Sequence, residues 1–201
     1  MTLLRDKDTG EYIERLLACV AAPTIRGLKP GTLVNLRRHG DGEIPATWNE
    51  RKEELLRKFR VEAFAFFPKG VGRGDSLLLL LYKKELLIQT LLSEEAANIL
   101  LPLGYKLRPP RVNSWFERLA RRFEGDFPHE IGLFLGYPPE DVQGFIQNRG
   151  GACLANGYWK VYSNVCKAKQ TFQKFRRAEY DAARAFIAGC VIMRGNKRPK
   201  T

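Results

Sequence analysis

The residues of this chain best suited to chemistry fall between positions 127 and 162, in the run FPHEIGLFLGYPPEDVQGFIQNRGGACLANGYWKVY. His129 is followed directly by Glu130, and a carboxylate near an imidazole can orient it and raise its basicity, as a general acid–base pair requires. Tyr137, Tyr158, Lys160 and Arg149 add two phenols, an amine and a guanidinium, groups that stack on and neutralise an anionic ligand. Far upstream, APTIRGLKP at residues 22–30 supplies Thr24 and Lys29 in a segment where two prolines and a glycine oppose a continued helix. If the two segments meet, one pocket collects His129, Glu130, Tyr137, Arg149, Tyr158 and Lys160, with Thr24 and Lys29 opposite. Each group also has a plainer use: a histidine after Phe-Pro can cap or pack, and loop threonines and lysines are commonly just solvated.

Short elements must hold these groups in place. Pro128 leads into the helix IGLFLG, which ends at Gly136 because Gly-Tyr-Pro-Pro is turn chemistry. Pro139 suits the first position of a second helix, with Glu140 and Asp141 favoured in its first turn by the helix dipole. Val142, Phe145 and Ile146 give that helix its apolar stripe, and Asn148-Arg149-Gly150-Gly151 closes it. Residues 157–162, GYWKVY, alternate and are aromatic and β-branched, so they read as a strand. Strand alternation puts Tyr158, Lys160 and Tyr162 on one face and Trp159 on the other.

The long run from Phe127 to Gly150, followed by GYWKVY and preceded far upstream by APTIRGLKP, resembles the bacterial domain-of-unknown-function family 3793 over nearly the whole chain. That resemblance implies an identity and no activity. It also implies a cysteine just before Ala-Pro-Thr and a Cys-Cys pair just before Gly-Tyr-Trp-Lys. This chain has Ala21 and Ala155-Asn156 at those places, with Cys19 and Cys153 two or three positions away, which argues against a thiol or metal role.

The remaining pattern predicts a single α+β domain over residues 1–193. Its parts are a small antiparallel sheet of about four strands, several helices and a long C-terminal helix. Residues 8–20 form an amphipathic helix with Ile13, Leu16, Leu17 and Val20 inward. Strands are predicted over 32–36, 61–67 and 77–82, the last two joined as a hairpin through PKGVGRGDS. That loop lacks the GKS/T ending of a phosphate-binding loop. Helices are predicted over 48–59 with Thr47 as cap, 84–91, 93–101 with Ser93 as cap, and 114–123. A final helix runs from Ser163 or Asn164 to about Cys190, burying Ala168, Phe172, Phe175, Ala182 and Phe186.

Composition narrows the function classes. No apolar run approaches the length of a membrane span and no secretory leader is visible, so the expected setting is the cytoplasm. The four cysteines show no CxxC spacing and read as reduced core residues; with only two histidines, His39 and His129, no metal site is predicted. Any cofactor is left unknown by the sequence, and whether the protein is an enzyme is left open. Residues 151–201 hold eleven Lys and Arg against two acidic residues, a net +9 of the total +12. Lys167, Lys174, Arg177 and Arg184 form a basic ridge on the last helix, and residues 194–201 read as a basic, disordered tail. Two functions follow: binding of, or action on, a small anionic metabolite in the pocket the two segments would form, or binding of nucleic acid or another polyanion along the ridge. No nucleic-acid motif accompanies the second.

Overall fold

The computed structural model describes residues 9–37, 43–66, 76–123 and 127–188. His39, most of the glycine-rich loop after residue 67, Cys190 and the tail from 194 lie outside the described residues.

Five consecutive leucines, Leu77–Leu81, leave a strand no polar face, so such a strand must be covered on both sides. The fold is built to do this. β3 (Ser76–Tyr82) is the centre of a three-stranded antiparallel sheet, flanked by β1 (Gly31–Arg37) and β2 (Glu62–Phe66). Leu80 is paired with both Leu33 and Phe64 across the sheet. Leu77, Leu79 and Leu81, with Val34 and Leu36, meet Ile13 and Leu17 of α1 (Thr9–Val20) and Leu55 and Phe59 of α3 (Ile44–Phe59). Leu80, Tyr82 and Phe66 face the opposite core. There they meet Leu87 and Leu91 of α4 (Lys84–Leu91), Ala96 and Leu100 of α5 (Glu94–Leu100), Trp115 and Phe116 of α6 (Val112–Arg122), and Leu133 and Phe134 of α7 (Ile131–Phe134). Each fully buried leucine or phenylalanine here contributes on the order of 1.5–3 kcal/mol of transfer free energy, and the sheet divides this apolar mass into two cores.

Helix ends follow local chemistry. Ser93 caps α5, its hydroxyl oxygen accepting the Ala96 N–H at 3.3 Å. α3 begins at Ile44, ahead of the expected start at 48, because Pro45 pre-sets the backbone angle of a first helical turn. Thr47 is therefore inside the helix, donating its hydroxyl to the Glu43 carbonyl at 2.9 Å and capping nothing. The 22–30 segment is more ordered than a loop: α2 (Ala22–Ile25) is one helical turn with Pro23 in its first turn, and Gly27 at φ 71° ends it.

The remaining elements form a second layer around one end of the sheet. α8 (Pro139–Gln147) follows α7, and β4 (Ala155–Asn156) pairs antiparallel with β5 (Lys160–Val161) as a separate two-stranded ribbon. The expected four-stranded sheet is thus three strands plus this ribbon. The strand expected over 157–162 shrinks to two residues, because Gly157-Tyr158-Trp159 forms the ribbon's tip, with the Gly157 N–H on the Trp159 carbonyl at 3.1 Å. α9 (Val165–Ile187) starts at Asn164, whose side chain accepts the Lys167 N–H at 2.9 Å. It buries Ala168, Phe172, Phe175, Ala178 and Ala182 against the ribbon, α1 and α2, with Val165 and Phe186 half-buried. The three described cysteines are not core residues as expected: Cys19 and Cys153 are half-buried and Cys166 is exposed. Among the described residues no single helix is long and apolar enough to cross a membrane.

Candidate functional site

Two contacts bring the upstream segment against the 127–162 motif. Gly136 sits at φ 77°, and a Cβ there would lie 2.3 Å from Cδ of Pro30, so both its backbone angle and the space beside it demand glycine. Gly31 packs equally close to α7: a Cβ on it would lie 2.6 Å from the Phe134 carbonyl oxygen. Pro30 and Gly31 are thereby wedged against the α7–α8 turn, and Lys29 is carried into the space behind it.

A single carboxylate fixes the other wall. Asp141, 2% exposed, accepts the Trp159 indole N–H at 2.7 Å on Oδ2. Its Oδ1 accepts the Tyr162 and Ser163 N–H groups and the Ser163 hydroxyl, at 2.8, 2.9 and 2.8 Å. Four donors on one buried carboxylate tie α8 to the ribbon. The indole so held stacks on Tyr137, centroids 5.2 Å apart, and meets Phe172 of α9 edge-on at 4.5 Å.

Between these walls lies a cavity of about 610 Å³. Lys29, His129, Tyr137, Tyr158, Trp159 and Lys160 all line it, together with Phe145 and Glu179. Tyr158 and Trp159 reach it together because they occupy the ribbon tip, where strand alternation does not apply, and Lys160 follows as the first residue of β5; the expectation that Trp159 points away is corrected accordingly. Tyr158 donates to Oε2 of Glu179 at 2.7 Å. Burial and that carboxylate push its phenol up, as burial does for Tyr137, so both stay protonated donors at neutral pH. Lys160 donates to the Gly150 carbonyl at 2.5 Å, with its amine 5.8 Å from the Phe145 ring centre.

Lys29 differs from every other cation on this wall. It is 8% exposed, and its amine lies 5.5 Å from the Phe175 ring centre, with no hydrogen bond or ion pair among the described residues. Desolvation lowers its pKa from 10.5 to about 8, the negative charge of Glu179 opposing part of that shift. The acids of the cavity, by contrast, have their partners: Asp141 its four donors and Glu179 the Tyr158 hydroxyl.

The other sequence candidates are placed differently. His129 is exposed at the cavity rim, edge-on to Phe145 with centroids 4.9 Å apart. Glu130, its neighbour in sequence, is 1% exposed and takes both an ion pair from Arg122 and the Tyr105 hydroxyl at 3.1 Å. That carboxylate is committed to locking α6 onto α7, and it lines a separate depression beside Arg121 and Arg122 that His129 also borders. Thr24 is fully buried, sharing a 2.8 Å hydroxyl–hydroxyl bond with Thr32. Arg149 is exposed in the left-handed turn that ends α8, at φ 49°. The ridge residues Lys167, Lys174, Arg177 and Arg184 are all exposed on α9. Arg177 pairs with Asp181 at 3.0 Å, Arg26 reaches the same acid at 3.2 Å, and Arg184 lies over Tyr180.

Sequence reasoning did not foresee Asp141 as a clamp, Glu179 as a cavity acid or Trp159 as a wall. Asp141 had a competing reading as a helix-start carboxylate, and Glu179 sits in a helix read for its basic face. The one available signal for Glu179 was its position seven residues after Phe172 and four after Phe175, on the buried side of α9. Among the described residues no group of three or more His, Cys, Asp and Glu is placed to hold a metal ion.

No curated protein and no solved structure matches the chain. The family model described as Protein of unknown function (DUF3793) matches residues 17–194, a span that includes both cavity walls, Lys29 and the Asp141 clamp, and the chain belongs to that family.

Proposed function

We propose that the protein binds a small anionic metabolite in the cavity between the 22–31 segment and the 127–162 motif. The observation that carries this reading is Lys29. Its side chain is largely buried beside Phe175 and lines the cavity with no hydrogen-bond acceptor among the described residues, and an anion entering the cavity supplies that partner. The setting agrees: about 610 Å³ suits a metabolite, and the Tyr137–Trp159 stack offers a flat apolar wall beside Lys160 and the Tyr158 phenol. We infer a bacterial cytoplasmic setting, in which the free thiols Cys19, Cys153 and Cys166 stay reduced. Polyanion binding on α9 is the weaker reading, because Asp181 engages Arg177 on the ridge.

Native mass spectrometry of the protein, purified with a high-salt wash, tests the cavity reading. The expected result is a stoichiometric extra mass that Lys29→Met abolishes while the fold is retained. A bare protein whose fluorescence also fails to respond to a panel of small carboxylates and phosphates would refute it.

A further inference from the structure

We propose that Lys29 forms a reversible imine with a small aldehyde or 2-oxo acid bound in this cavity. The inference rests on the anion-binding reading and adds the functional group that the ligand presents. Three structural facts carry it. Lys29 is 8% exposed as a residue, and it lines a cavity that other residues leave open, with exposed His129, Phe127 and Asn156 around it. No carboxylate or carbonyl among the described residues accepts a hydrogen bond or forms an ion pair that would hold it as the ammonium, whereas Lys160 on the same wall donates to the Gly150 carbonyl. A phenol–carboxylate pair, Tyr158 and Glu179, lines the same cavity, where addition and dehydration require a proton relay.

The chemistry balances without an oxidant or reductant. The Lys29 nitrogen lone pair forms a bond to the carbonyl carbon as the carbon–oxygen π pair moves onto oxygen. Nitrogen sheds one proton and oxygen gains one, through the Tyr158–Glu179 pair, giving a carbinolamine. Protonation of its hydroxyl by the same pair lets water leave as the nitrogen lone pair closes the C=N bond, and the iminium nitrogen returns its proton to the pair, so the net change is one water released. The carboxylate or phosphate of the ligand is left for Lys160 and the rim. A desolvated lysine is suited to this role because a larger share of it is the free amine. With a pKa of about 8 against 10.5, that share at pH 7 rises about 300-fold. Lower basicity takes back part of that gain.

Glyoxylate with cyanoborohydride is the direct test, since the hydride traps the imine as a stable carboxymethyl amine that peptide mass spectrometry locates. On the folded wild-type protein at pH 7, Lys29 should be labelled at least about tenfold faster than the exposed Lys84 and Lys174, the excess free amine outweighing the lost basicity. Prior urea unfolding should erase the difference, and Tyr158→Phe should slow Lys29 labelling while leaving Lys84 unchanged. Labelling of Lys29 no faster than those two would overturn the imine proposal, and anion binding would still be judged by its own assay. Rapid labelling that is equally fast with uncharged propionaldehyde would uphold the imine and overturn the requirement for an anion.

Discussion

Replacing Lys29 with methionine should make the protein more stable near neutral pH, even as it removes the proposed ligand contact. The folded chain holds this amine at about 8 and the unfolded chain at its ordinary 10.5. Between those values the unfolded state binds the extra proton and the folded state does not, so stability rises with pH across that window, and below about pH 8 the full penalty applies. The difference corresponds to about 3 kcal/mol at pH 7 and about 2 kcal/mol at pH 9. Methionine fills a similar volume beside Phe175 with no charge to desolvate. Urea unfolding followed by tryptophan fluorescence, with both proteins freed of ligand, should show the variant ahead by about 3 kcal/mol at pH 7, its lead narrowing by about 1 kcal/mol at pH 9. Comparing the two proteins at each pH cancels the tyrosines, whose raised values act in the opposite direction above about pH 10. A variant no more stable than wild type at pH 7, or a lead that stays flat between the two pH values, would show that Lys29 is solvated, and the reasoning built on its burial would fall.

Asp141→Asn keeps the volume but turns an amide N–H₂ toward the Trp159 indole N–H or the backbone donors, and it removes the charge all four donors share. The expected loss is about 2–3 kcal/mol, or about 4–12 °C in Tm, read by calorimetry together with a changed Trp159 environment in near-ultraviolet circular dichroism. Glu130→Gln breaks the pair with Arg122 and strands the guanidinium; because Arg122 is one-third exposed, the expected cost is at the lower end for such pairs, about 2–3 kcal/mol in urea unfolding, with cavity binding retained.

Much of the fold was legible because it follows from local chemistry. Leu77–Tyr82 reads as a strand with both faces covered, Glu94–Leu100 starts at its Ser93 cap and Pro139–Gln147 at its own proline, and the stripe of α9 recurs at helical steps. Where local signals competed, the reading slipped. Thr47 mimicked an N-cap while Pro45 started the helix, and the alternation of GYWKVY concealed a ribbon tip. At Gly157 a Cβ would meet the Phe172 ring at 2.2 Å, a contact that no window of sequence contains.

By itself the sequence determined the family, the α+β class, the segments that carry the unusual residues and the concentration of positive charge toward the C-terminus. Those are properties of residue type and spacing, which propensity and periodicity encode along the chain. Only the tertiary structure decided which groups share a cavity. It separated His129 from Glu130, gave Glu130 to Arg122 and Thr24 to Thr32, and set Lys29 beside Glu179 and Tyr158, which stand 150 and 129 positions further along the chain. The physical reason is that a side chain's charge, reach and reactivity depend on what desolvates it and what bonds it, and for each of these groups those partners come from distant segments brought together by packing.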